Sequence, residues 1–109
     1  MKLVRIDTNK ISDWKSFHQV FKETLGFPDY YGANGNAWID CMTYVDDPDL
    51  GMTQITVEKG GILILEVPES EKFKEVCPKQ SEDLIANTAF VNWRRIEAGD
   101  KPVLALLLC

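Results

Sequence analysis

Few side chains in this chain of 109 residues could support nucleophilic or acid–base catalysis. The only histidine is His18, and the three cysteines are Cys41, Cys77 and Cys109. A serine or cysteine nucleophile needs a base beside it, and no motif here pairs His18 with such a residue. We interpret His18 as a half-exposed structural residue on the first helix and the cysteines as structural side chains. The sequence therefore predicts no catalytic residues.

Motifs that hold phosphates or metal ions are also missing. Neither G-x-x-x-x-G-K-[ST] nor G-x-G-x-x-G is present, and the pair Gly60-Gly61 is predicted to form a turn. Asp46, Asp47 and Asp49 lack the remaining positions of a calcium loop. An odd number of cysteines without C-x-x-C spacing argues against zinc and disulfides, and indicates a reducing cytosol. We expect no metal, no cofactor and no enzyme activity, although spacing alone leaves a hydrolase with two carboxylates open.

Acidic side chains concentrate in one third of the chain. No Lys or Arg occurs from Glu23 to Glu58, a stretch of 36 residues with seven acids, and the whole chain has a net charge of −5. A surface built from this stretch would repel nucleic acid and attract a basic partner. The alternative is a solvated acidic loop that only aids solubility.

The hydrophobic pattern predicts a single α/β domain over residues 1–109. Helices between the strands favour a mainly parallel sheet, to which an alternating segment adds an antiparallel edge strand. The parallel strands are predicted at 2–7, 62–67 and 103–108, the last two buried on both faces, and the edge strand at 54–58. Helices are predicted at about 12–25 (N-cap Ser12), 34–45, 70–77 and 81–98, the last with Leu84, Ile85, Thr88, Ala89, Val91 and Ile96 inward.

The helix that follows Asn34 has two distinct faces. Asn34 is a good N-cap, and one face carries the apolar side chains Trp38, Cys41, Met42 and Val45. The opposite face carries Asn36, Asp40, Thr43 and Asp47, with an exposed Ile39 beside them. A charged face that includes an apolar residue is the ordinary pattern of a binding surface.

The stretch from Phe27 to Thr43, FPDYYGANGNAWIDCMT, resembles the barstar family of small intracellular inhibitors of secreted bacterial ribonucleases. In that family a Pro-acid-Tyr-Tyr-Gly-x-Asn run leads into the second helix, which carries Asp-Cys-x-Thr. His18 and the apolar C-terminal strand fit the same family. The resemblance implies that the second helix and the loop before it plug a ribonuclease active site, with acidic side chains in place of RNA phosphates.

The resemblance also implies which residues contact the partner. Asp40 matches the central aspartate that enters the phosphate site, while Asn36 and Ile39 stand where the type member has aspartate and tryptophan. Of the tyrosine pair, Tyr30 matches the one that packs on the nuclease and Tyr31 the more structural one. Asp46, Asp47 and Asp49 could supply replacement charge, although no motif places them. With Asp47 added from its helical spacing, the expected contact residues are Tyr30, Asn34, Asn36, Ile39, Asp40, Thr43 and Asp47.

Two functions follow as expectations. The first is a cytoplasmic immunity protein, monomeric when free, that blocks a basic ribonuclease or other nuclease toxin and binds neither nucleic acid nor membrane. The second is a barstar-fold interaction module for a different toxin or a regulatory partner, which Asn36 and Ile39 favour. In the family, an acidic side chain on the last long helix also contributes to binding the nuclease. The residues near that position here are Arg94, Arg95 and Glu97, of which only one is acidic.

Overall fold

A three-stranded parallel sheet and four helices make up the fold, which a computed structural model describes for residues 1–109. The sheet order is β1-β2-β3, so β2 is the central strand. In chain order the elements are β1 (Lys2–Arg5), α1 (Trp14–Leu25), α2 (Gly35–Thr43), β2 (Leu63–Val67), α3 (Ser70–Val76), α4 (Pro78–Glu97) and β3 (Leu104–Leu108). Short 3₁₀ turns lie at Thr8–Lys10 and Pro48–Leu50. The predicted α/β class with parallel strands is confirmed.

The central strand divides its side chains between two faces of the sheet. Leu63, Leu65 and Val67 are buried in the core, whereas Ile64 and Glu66 alternate with them and are half-buried. This is the two-residue period that a pleated strand imposes. The prediction that residues 103–108 form a second buried central strand is wrong. In a sheet of three strands β3 lies at the edge, and about half of the Leu108 side chain is exposed.

The antiparallel edge strand expected at 54–58 does not form. The backbone N–H groups of Gln54 and Ile55 donate to the carbonyl of Leu25, and that of Val57 donates to the carbonyl of Val45. The segment therefore pairs with the carbonyl of the last residue of α1 and with a carbonyl two residues beyond α2, instead of forming a strand ladder. Its close approach requires Gly26, which has φ +71°, because a Cβ there would lie 2.6 Å from the Cβ of Gln54.

Two helices begin elsewhere than predicted. Asp13, not Ser12, caps α1: its carboxylate accepts from the Ser16 N–H at 2.8 Å. Helix α4 starts three residues early, at Pro78, where the missing N–H costs no helical hydrogen bond.

The prediction that Ile85, Ala89 and Ile96 face inward is wrong, since all three are exposed. The residues of α4 that are buried are Gln80, Leu84, Thr88, Val91 and Arg95.

A buried ion pair joins α4 to the chain just after α2. The guanidinium of Arg95 donates two hydrogen bonds to the carboxylate of Asp46, at 3.0 and 2.7 Å, and the two side chains are only 8% and 3% exposed. Arg95 also donates to the carbonyls of Thr43 at 2.8 Å and Lys101 at 2.7 Å. One side chain thus connects α4 with the end of α2 and with the segment before β3.

Replacing Asp46 by alanine should lower the free energy of unfolding by about 3–5 kcal/mol, because it leaves the buried charge of Arg95 uncompensated. Urea unfolding at neutral pH measures the loss. The exposed acid Asp49 provides the matched control, and Asp49→Ala should change stability by less than about 0.5 kcal/mol. A loss below about 1 kcal/mol for Asp46→Ala would contradict the structural role of the pair.

Candidate functional site

The loop before α2 is fastened to α1 by aromatic side chains. The hydroxyl of Tyr31 lies 2.6 Å from Nδ1 of His18, and the ring centroids of Tyr31 and Phe27 are 4.7 Å apart. Burial raises the pKa of the Tyr31 phenol well above its usual range, so the phenol stays neutral. His18 is structural, as predicted, but it is buried rather than half-exposed.

The same loop presents Tyr30 to solvent and starts α2 at Asn34. Tyr30 is 75% exposed, and its hydroxyl donates to Sδ of Met52 at 3.6 Å. The side-chain oxygen of Asn34 accepts from the Ala37 N–H at 2.8 Å, which confirms the predicted N-cap. Ala33 precedes it with φ +52°, a left-handed conformation that costs a non-glycine residue about 1–2 kcal/mol. This strained residue and the cap together set the direction in which α2 leaves the loop.

The outer face of α2 carries fewer free side chains than predicted. Asn36 and Asp40, one helical turn apart, are both exposed. Ile39 was expected to be exposed, but it is half-buried and packs against the core. The carboxylate of Asp40 accepts a hydrogen bond from Nη1 of Arg94 at 2.9 Å. The surface centred on Asp40 therefore includes a residue from α4.

The predicted outward orientation of Thr43 is wrong. Thr43 is 5% exposed, and its hydroxyl donates to the carbonyl of Ile39 at 2.6 Å. Asp47 is half-buried and lies beyond the helix, which ends at Thr43 and not at Val45. The Thr43 carbonyl has no later turn of helix to pair with, and it accepts from buried Arg95. Helical spacing therefore does not place Asp47.

Arg94 was expected on the last long helix, but its contact with Asp40 was not predicted. Its side chain is 38% exposed, and its hydrogen bond to Asp40 raises the pKa of the guanidinium above the usual value. An ion pair this exposed adds about 0–1 kcal/mol to stability. Its importance is electrostatic, because it sets a positive charge directly beside the central acid. Only the packing of α4 against α2 brings the two together, and no local pattern reports that packing.

The reactive side chains lie in settings that do not activate them. Burial raises the pKa of the Cys41 thiol to about 11, so Cys41 is protonated at neutral pH. His18 contacts the Tyr31 hydroxyl instead of a nucleophile. All three cysteines are free, and no group of three or more His, Cys, Asp or Glu side chains is arranged to hold a metal ion. None of the helices is both long and apolar enough to cross a membrane.

A family model described as "Barstar (barnase inhibitor)" matches residues 1–103, nearly the whole chain. The chain belongs to the barstar family. The resemblance found in residues 27–43 thus extends over every element from β1 to α4. Membership in a family of inhibitors identifies the chain as a ribonuclease-inhibitor homologue and not an enzyme.

A curated relative supports the same family. The chain is 41% identical over 49 residues to "Putative ribonuclease inhibitor YrdF" of Bacillus subtilis (strain 168). The match covers 44% of this chain and 54% of the relative. This barstar-family chain therefore aligns with about half the length of that relative.

The buried His18 predicts a pH-dependent stability. Burial lowers its pKa in the folded state, whereas the unfolded chain has the ordinary value of about 6.5, so the unfolded state binds more protons below that pH. The stability contributed by neutral His18 is complete above about pH 6.5 and is lost as the pH falls through the lower folded-state pKa. Urea unfolding between about pH 7.5 and 5.5 should show this decrease.

Two variants separate the titration from the hydrogen bond. His18→Asn keeps a polar atom near Nδ1 but cannot titrate, and it should flatten the pH dependence. Tyr31→Phe removes the hydrogen bond, keeps the imidazole and should retain a pH dependence. If His18→Asn kept the wild-type slope, another group would be responsible for it.

Proposed function

We propose that this chain is a bacterial cytoplasmic immunity protein that binds a basic ribonuclease or related nuclease toxin. Helix α2 and the loop at residues 29–34 would enter the active site and exclude RNA. The protein would act as a monomer without binding nucleic acid or membrane. The observation that carries the proposal is the exposed carboxylate of Asp40 at the centre of α2, in a chain of the barstar (barnase inhibitor) family.

The charge distribution supports a basic target. The stretch from Glu23 to Glu58 contains seven acids and no Lys or Arg. Asp29, Asp49 and Glu58 are exposed on it, so their field extends into solvent. An excess of one charge on a surface accelerates the encounter with an oppositely charged partner. A nuclease that binds RNA phosphates through cations has the complementary charge.

The local geometry supports a rigid inhibitory surface. Asn34 caps the first turn of α2, and Tyr31 is hydrogen-bonded to His18, so the loop is fixed at two points. A preordered surface loses less conformational entropy on binding than a flexible one. Tyr30 projects from this loop and offers a large amphipathic side chain of the kind enriched in interface hot spots.

The second candidate is a barstar-fold interaction module whose target is not a ribonuclease. The Asp40–Arg94 pair favours it, because it partly neutralises the central acid of the surface. Asn36 and half-buried Ile39 also favour the second candidate, since they supply neither a second charge nor an exposed aromatic anchor. The two candidates differ in the identity of the target and share the same surface.

Asp40→Ala should weaken binding of the target at least about 30-fold, which corresponds to about 2 kcal/mol and to a hot-spot residue. The target is captured from a lysate of the native host at low and high salt and identified by mass spectrometry. Its affinity for each variant is then measured with the purified protein. A basic nuclease captured best at low salt, and inhibited in an RNA-cleavage assay, is the expected result.

Glu75→Ala is the matched control, because it removes one exposed acid from α3 and leaves α2 unchanged. It should bind within about threefold of wild type, and both variants should keep the wild-type melting temperature within a few degrees. An Asp40→Ala protein that inhibits the nuclease as well as wild type would disprove the role of Asp40. A captured target without nuclease activity would favour the second candidate.

A further inference from the structure

Asp40, the central acid of α2, is paired with Arg94 at the surface. Asp40 Oδ1 and Arg94 Nη1 are 2.9 Å apart, and both side chains remain partly exposed, at 54% and 38%. A partner that covers Asp40 must therefore also cover Arg94. The surface presents a pair of opposite charges where a simple phosphate mimic would present an anion.

The position of Arg94 is fixed by its neighbour in the sequence. Arg95 is buried and holds Asp46 through two hydrogen bonds, which anchors this turn of α4 to the chain after α2. Arg94 is consequently carried on a helical turn that cannot shift away from α2 without breaking the Arg95–Asp46 pair. Its side chain can rotate, but its backbone stays beside Asp40.

The surface next to this pair also has mixed charge. A recess of about 200 Å³ between the end of α2 and the end of α4 is lined by acids and bases together. The charged residues that line it beside the buried Arg95–Asp46 pair are Asp47, Lys59, Arg94 and Asp100. The acidic stretch of the sequence therefore does not produce a uniformly acidic patch here.

We propose that Arg94 is a specificity-determining residue and that the target presents an acidic side chain to Arg94 beside the cation that receives Asp40. This inference rests on the proposed function, because it assumes that Asp40 lies in the interface. A target site with cations alone would bring a positive group against Arg94, and like charges across an interface select against a partner. A site with adjacent cation and carboxylate would satisfy both members of the pair.

Barnase, the ribonuclease named in the family description, serves as the first probe. The measured quantities are its dissociation constant and its inhibition in RNA cleavage, for wild type and for Arg94→Ala and Arg94→Glu. We expect Arg94→Ala to bind barnase at least tenfold tighter than wild type and Arg94→Glu tighter still. Because part of the gain comes from releasing Asp40, the gain from Arg94→Ala should be at least threefold smaller in an Asp40→Ala background.

Arg5→Ala is the matched control, since Arg5 is also an exposed arginine paired with an acid, Glu66 at 3.4 Å, but lies on β1. It should change the affinity for barnase by less than threefold. A gain equal to that of Arg94→Ala would show an effect of net charge only and would overturn the proposal. Barnase bound no more tightly by Arg94→Ala than by wild type, including no binding by either, would overturn it as well.

The nuclease captured from the host is the second probe and has the opposite expected result. Arg94→Ala should weaken its binding at least tenfold, because the acidic group of the target loses its partner. Unchanged binding would overturn the proposal while leaving the proposed function intact, since that function is judged by Asp40→Ala. If no nuclease is captured, the measurements with barnase are by themselves the test of the role of Arg94.

Discussion

The buried contact between Arg95 and Asp46 sets the geometry on which the rest of the surface depends. Burying two charges is expensive, and the cost is offset only when the geometry is good and the remaining donors are satisfied. Here the pair is bidentate, and Arg95 also donates hydrogen bonds to the carbonyls of Thr43 and Lys101. These contacts tie together three segments that are distant in sequence. They also give a donor to the carbonyl of the last residue of α2, which has no partner within the helix.

The packing of α4 against α2 changes the surface charge that the acidic stretch from Glu23 to Glu58 presents in the folded protein. Two of its seven acids, Asp40 and Asp46, are paired with the consecutive arginines Arg94 and Arg95 of α4. The seven acids alone have a net charge of −7, and the seven acids together with these two arginines have a net charge of −5. The remaining excess still attracts a basic protein at long range, where only net charge matters. At contact distance the individual pairs decide, and there the surface is of mixed charge.

Local sequence signals predicted the parts of the fold that depend on local physics. Asn34 caps α2 and Gly26 ends α1 in a left-handed conformation, because capping needs only a suitable residue at the right place. The three parallel strands likewise follow from short apolar runs separated by helices. The motif around the tyrosine pair gave the family, which the match over residues 1–103 confirmed.

The errors at residues 54–57 and at Thr43 have a different cause, because each depends on a partner that is remote in sequence. The burial of Asp46, which no local pattern predicted, has the same cause, because its carboxylate is compensated by Arg95. Residues 54–57 alternate like a strand, but their N–H groups bind Leu25 and Val45. Thr43 has the spacing of an outward residue, yet the chain around it turns toward α4. Periodicity reports one element at a time and does not show which carbonyl or charge a second element will supply.

The loop before α2 shows how local strain and remote contacts combine at the site. Ala33 adopts a left-handed conformation that is unfavourable by itself, so the neighbouring contacts must hold it. The cap of Asn34 acts on one side and the Tyr31–His18 hydrogen bond on the other. With Tyr31 turned inward and Ile39 packed on the core, the large exposed side chain of this region is Tyr30. In the proposed complex, aromatic contact would therefore come from the loop, while α2 and α4 would together supply the charges that select the target.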